Sequence, residues 1–172
     1  MSNRQAQSGP NTPPGGVIRY RDRIFEDKRI DPYQARGKYK EPTRCGSCGA
    51  VFHRGRWQWG DAPEESASVS CPACQRIHDK LPAGTVTLEG PFVAAHRDEL
   101  LHLIRNEAKR EGAEHPVHRI MAIEEEAERI VVTTTDIHLP RRIGEALKSA
   151  WSGETQFQYG EDEYSARVHW KR

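Results

Sequence analysis

Residues 45–60 read CGSCGAVFHRGRWQWG and residues 71–78 read CPACQRIH, so the four cysteines fall into two Cys-x-x-Cys pairs, Cys45/Cys48 and Cys71/Cys74, with 22 residues between them. One Cys-x-x-Cys turn offers two sulfurs to a metal ion, and two turns complete the tetrahedral four-thiolate shell that Zn2+ prefers, at metal–sulfur distances of about 2.3 Å. The interval slightly exceeds the usual window of roughly 15–20 residues, which lengthens the loop between Asp61 and Ser70. Glycines and small residues around Cys45 and Cys48 let backbone N–H groups turn toward the sulfurs. A short aromatic strand follows, and Pro72 and Ala73 are expected in the turn of the second pair. The expected element is a zinc ribbon holding one structural Zn2+. His53 and His78 are alternative ligands, though four thiolates already fill the shell. A closed shell has no open position for water or substrate, so the ion should hold the fold, a role worth ~10–16 kcal/mol in small zinc peptides. The alternatives are two disulfides, which nothing argues for without export, and redox-active dithiols, which would sit between a strand and a helix, where neither pair reads as lying.

The rest of the 172-residue chain is polar: 35% hydrophobic, 30% charged, mean hydropathy −0.84. That suits a small module joined to a medium one, with part of the chain as tail or solvated surface. No run approaches the ~18 apolar residues of a membrane span, and MSNRQAQSGPNTPPGG at the N-terminus lacks the apolar stretch of a secretory signal. A cytoplasmic location without a membrane partner is expected. The net charge of +1 is unevenly spread: +5 over residues 1–44, zero over 45–83 and −4 over 84–172. The expected division is a basic N-terminal arm at 1–42, the ribbon at 43–83 and an α+β domain at 84–172.

A basic arm gains affinity for a polyanion by displacing counterions from phosphates, although it also reads as a solubilising tail. Within it, VIRYRDRIFEDKRIDPYQARGKYKEP (residues 17–42) interleaves Arg and Lys with Ile18, Tyr20, Ile24, Phe25, Ile30, Tyr33 and Tyr39. Such a segment orders either on a nucleic acid, with tyrosines stacking on bases, or on the protein's own body. The arm candidates for phosphate contact are Arg19, Arg21, Arg23, Arg36, Lys38 and Lys40. In the ribbon they are Arg54, Arg56, Arg76 and Lys80, with Trp57 as a stacking candidate. Strand alternation sets Arg56 opposite Trp57 and Trp59, so packing of both tryptophans against the knuckles or the next domain is the competing reading.

After Gly84 the pattern is mixed α/β. TVTLEG alternates as a strand, and Phe92 to Arg110 has helical apolar spacing closed by Gly112 and Pro116. HRIMAIEEE and RIVVTTTD read as a hairpin turning near Ala127. Pro140 sits near a helix start whose apolar face runs through Ile143, Leu147 and Trp151 to Gly153, and TQFQY and YSARVHW form a last hairpin. The order β-α-β-β-α-β-β predicts a ferredoxin-like fold with an added C-terminal strand.

Two features carry a family resemblance: the knuckle running into Gly55-Arg56-Trp57, and the order IEEEAERIVVTTTDIHLPRRIGEALKSAWSGETQFQYGEDEYSARVHW (residues 123–170). Over roughly residues 43–170 the chain resembles the nonsense-mediated mRNA decay protein three family, adaptors for export of the large ribosomal subunit. It also looks like a group of small bacterial proteins of the same architecture. The family's second N-terminal zinc site and later domains are absent, so export does not carry over. The resemblance implies ribosome or rRNA binding, with Arg141 and Arg142 as candidate RNA contacts.

The leading expectation is therefore a zinc-ribbon, RNA-binding, ribosome-associated factor for assembly, quality control or dormancy, acting by occupancy, with no DNA partner. The alternative is a protein-interaction module using the ribbon or a sheet edge, which the acidic C-terminal body favours. An enzyme is not expected: there is no phosphate-binding glycine loop and no catalytic triad, and Glu124, Glu125 and Glu126 read as a solvated hairpin end.

Overall fold

The computed structural model describes residues 31–34, 39–161 and 163–172. Arg19, Arg21, Arg23, Arg36 and Lys38 lie outside the described residues. Among the described residues, two small sheets and four helices make a mixed α+β structure.

The first sheet contains β1 (Thr43–Cys45), β2 (Val51–His53), β3 (Arg56–Gln58) and β4 (Ala67–Val69), in the order β3-β2-β1-β4. β2 and β3 are joined through Arg54 and Gly55, both at positive φ, and the Glu41 carboxylate accepts both of their N–H groups at 2.6 and 3.1 Å. Glycine takes that left-handed conformation without steric cost, which is why the turn falls there. In register, Thr43, Phe52 and Trp57 line up across three strands. Tyr39 adds its ring 4.7 Å from Phe52 and 5.4 Å from Trp57, closing an aromatic cluster over Cys45, Cys71 and Ala73. The tip loop does not stay free, because its end becomes β4 and pairs with β1 in parallel.

The second cysteine pair departs from expectation. It is the start of helix α1 (Pro72–Asp79), with Cys71 as its N-cap and Pro72 in its first turn. Proline's fixed φ suits that position, and the Cys71 sulfur takes the N–H of Cys74 as a serine hydroxyl would. Cys71-Pro-Ala-Cys74 therefore lies between a strand and a helix, the placement the sequence argued against.

The second unit runs β5 (Gly84–Glu89), α2 (Pro91–Ala95), α3 (Arg97–Glu114), β6 (Ile120–Glu126), β7 (Arg129–Thr134), α4 (His138–Trp151), β8 (Glu154–Tyr159) and β9 (Ala166–Lys171). The single helix expected at Phe92–Arg110 is broken at His96, and Gly112 stays inside α3 instead of closing it. The succession of elements is as expected, but the sheet order is β6-β7-β5-β9-β8. In a ferredoxin-like sheet the strand after the second helix lies beside the first strand. Here β8 is displaced to the edge, and β9 occupies that place, parallel to β5. The reason is polarity. Beside β5 a strand must bury one whole face, which β9 does with Ala166, Val168 and Trp170, whereas β8 leaves Gln156, Phe157 and Gln158 exposed.

One face of this sheet, with Val86, Leu88, Ile130, Val132, Val168 and Trp170, meets Leu100, Ile104, Leu139, Ile143 and Leu147 from α3 and α4. At Gly84 a Cβ would collide with Pro140 and Thr134, so glycine lets β5 pass directly beneath the start of α4. The ribbon leans on this unit. Trp59 Nε1 donates to Gly112 O at 2.7 Å, and Val117 packs against the aromatic cluster. Trp59→Phe removes that one donor and should cost about 1 kcal/mol in a urea melt, since Trp59 is half exposed. Among the described residues no helix is long and apolar enough to cross a membrane.

Candidate metal centre

The two cysteine pairs converge. Cys45 and Cys74 sulfurs are 3.8 Å apart, as are those of Cys48 and Cys71, and all four lie within 4.8 Å of one another. A tetrahedral shell with bonds of about 2.3 Å has edges of about 3.8 Å, so the four sulfurs can hold one metal ion. None is in a disulfide. Cys45 and Cys71 are fully buried, and Cys71 N donates to Cys45 Sγ at 3.3 Å. Burial pushes the Cys71 and Cys48 thiols up. Cys45 is held at about 6 in spite of burial, because the backbone N–H groups of Cys71, Cys48 and Ser47 point at its sulfur. His53 and His78 are not in the cluster.

A cation supplied by the other unit completes the site. Arg119, just before β6, directs Nη2 to Cys74 Sγ at 3.1 Å and Cys71 Sγ at 3.6 Å. Its backbone is pinned to the body: Arg119 N donates to Thr135 Oγ1 at 2.9 Å, and Arg119 O accepts from Thr135 N at 2.9 Å. Four thiolates around a divalent ion carry a net charge of −2, so a half-buried guanidinium offsets what burial would otherwise penalise.

The expected RNA contacts separate into two groups. Lys40, Arg54, Arg56 and Lys80 are exposed or nearly so, with Arg44 also exposed on the polar face of β1. Arg76, by contrast, is buried: its Nη2 meets Asp31 Oδ1 at 2.6 Å, its Nη1 donates to Leu81 O and its guanidinium lies 4.5 Å over the Tyr33 ring. Trp57 is buried in the aromatic cluster. Arg141 pairs with Glu145 at 3.0 Å and Arg142 with Glu111 at 2.6 Å. Each of the four thus has a partner within the fold: Arg141 has the carboxylate one helical turn on, whereas Arg76 and Arg142 have partners far along the chain.

A second polar cluster was not anticipated. Glu111 near the end of α3, His115, His118 and His138 line a cavity of about 570 Å3 together with Arg141, Arg142 and Glu145. His118 Nδ1 lies 2.8 Å from Glu111 Oε1 and 3.8 Å from Asp136 Oδ2. The His118 ring sits between those of His115 and His138, at centroid distances of 4.8 and 5.2 Å. Burial holds the His118 and His138 imidazoles below their ordinary pKa and lifts Asp136 to about 6. The spacing Glu111-x3-His115-x2-His118 was visible but read as the end of a helix. Comparison with protein-family models, with curated proteins and with solved structures returns no match.

Proposed function

We infer that the chain is a zinc-ribbon protein that binds RNA, with the large ribosomal subunit as its target, and that it acts there by occupancy as an assembly, quality-control or dormancy factor. The observation that carries this reading is the exposure of Lys40, Arg44, Arg54 and Arg56 on and beside a small sheet that packs around four clustered cysteines able to hold one metal ion. Thiolate donors in a tetrahedron suit Zn2+, which would be structural there. Positively charged groups fixed on a ribbon meet phosphates in a defined register, whereas a flexible tail does not. The resemblance of residues 43–170 to ribosome export adaptors supports the same target.

Co-sedimentation with ribosomes across a salt series tests it. Binding should weaken steeply with salt, and Arg54→Ala with Arg56→Ala should reduce the salt slope by about one per phosphate contact removed. Absence of co-sedimentation, or a flat salt dependence, sinks the reading. A protein-binding module remains the second reading, favoured by the exposed Glu124, Glu125 and Glu126 of the β6 hairpin and by Phe157 on the open edge strand β8. Its signature is a complex that survives both nuclease and high salt.

A further inference from the structure

We propose that Glu111, His115 and His118 form a second metal site, for a borderline divalent ion of the zinc class, separate from the thiolate centre and open on one side to the cavity. One carboxylate and two imidazoles, each offering one ligand atom, lie with those atoms within 4.8 Å of one another. Nitrogen and oxygen donors of this kind bind zinc, cobalt and nickel, and three protein ligands leave a four-coordinate ion one position for water.

The local structure is built to present these atoms. Glu111 and His115 are one helical turn apart, with His115 N bonded to Glu111 O at 2.8 Å, so both side chains leave α3 on the same face. Pro116 ends the helix, and a turn closed by His118 N to His115 O at 3.0 Å brings His118 back over that face. Thr135 Oγ1 fastens the turn by donating to Val117 O at 2.6 Å.

Glu111 is divided between two tasks. Its Oε2 is held by Arg142 Nε at 2.6 Å, while Oε1 faces both imidazoles, 2.8 Å from His118 Nδ1 and 3.9 Å from His115 Nε2. Anchoring one carboxylate oxygen so that the other meets the ion is what outer-shell partners do at metal sites.

A second, independent observation is Asp136. It is 3% exposed, its Oδ2 accepts from the backbone N–H groups of His138 and Leu139 and stands 3.8 Å from His118 Nδ1, and its buried Oδ1 has no hydrogen-bond partner. Two buried carboxylates, Glu111 and Asp136, thus flank His118, with the Arg142 guanidinium bonded to only one of them. His138 also faces Asp136, and a divalent ion at the three ligands would add positive charge beside both carboxylates. The competing account is a plain His118–Glu111 hydrogen bond that serves the fold alone.

The test uses the full chain with its thiolate centre filled with Zn2+. Isothermal titration with Co2+ should show one further binding event, and the desalted protein should carry one Co2+ without the sulfur-to-cobalt charge-transfer absorption that a thiolate site produces. His115→Ala and Glu111→Gln should each weaken that event at least tenfold, as loss of a ligand requires. His115 is exposed enough for its replacement to be tolerated, and His115→Gln with an unchanged thermal melt separates ligand loss from misfolding. No Co2+ event in the wild type overturns the proposal, as does an event of unchanged affinity in well-folded His115→Ala or His115→Gln.

Discussion

Cys71→Ser is expected to release the thiolate-bound metal and unfold residues 43–80, while the five-stranded sheet and its helices stay folded. Serine is itself a good N-cap, so the variant keeps a side-chain acceptor for the Cys74 N–H and keeps the start of α1. What it removes is one of the four sulfurs that can hold the ion. The ribbon has little else to rely on: its strands are three residues long and its fully buried side chains are chiefly the cysteines and alanines. Metal binding worth ~10–16 kcal/mol would therefore exceed anything that Tyr39, Phe52 and Trp57 contribute by packing. The second unit buries its own apolar core, from Val86 to Trp170, and needs no metal to do so. Backbone amide spectra of the variant should lose the dispersed signals of residues 43–80 and keep those of β5 to β9, and elemental analysis should show the thiolate-bound ion gone. Native ribbon signals without that ion would refute the argument. Strong chelation of the wild type should reproduce the spectrum reversibly, whereas an oxidised Cys71–Cys74 dithiol would be restored by a reductant and not by metal.

How far the sequence discloses this structure depends on how local the cause is. The cysteine pairs were legible because each knuckle is a four-residue motif, and the strands and helices of residues 84–172 because alternation and helical spacing are short-range. The sheet order departs from the ferredoxin-like expectation, although its cause is present in the sequence: TQFQY is too polar for a strand beside β5 and ARVHW is not. The second knuckle's helix was signalled by proline in its first turn but was obscured by reading it as a copy of the first. Charge and aromaticity at Arg76, Trp57 and Arg142 are visible in a sequence, whereas the partners that hold those side chains are not; Arg141 differs, with Glu145 one helical turn on. Asp31 lies 45 residues from Arg76, and nothing in Ile77 or Gln75 announces the pairing. Glu111, His115 and His118 are the opposite case, a short-range motif passed over because helix closure accounted for the same residues.

Arg119→Leu is the substitution that should most change the centre without touching a ligand. Leucine keeps an apolar stem but removes the guanidinium that lies 3.1 Å from Cys74 Sγ and 3.6 Å from Cys71 Sγ. Outer-shell partners of metal ligands are worth about 10–100-fold in affinity, so chelator competition should show the ion held that much more weakly. Arg119→Lys should recover part of the loss: an ammonium restores the charge but lacks the fixed planar geometry that sets Nη2 between the two sulfurs. Arg56→Leu, equally basic and far more exposed, should leave the affinity unchanged and so separates a specific contact from overall charge. The effect should extend beyond affinity. Arg119 is fixed to the body through Thr135 on its backbone and to the ribbon through its side chain, so it ties the orientation of the ribbon to the state of the metal. In Arg119→Leu, amide shifts should therefore change on both sides of the junction, at Cys71–Gln75 and at Val117–Ile120. Weaker metal binding with shifts confined to the ribbon would mean that other contacts, such as Trp59 to Gly112 and Arg76 over the Tyr164 ring, hold the two units together.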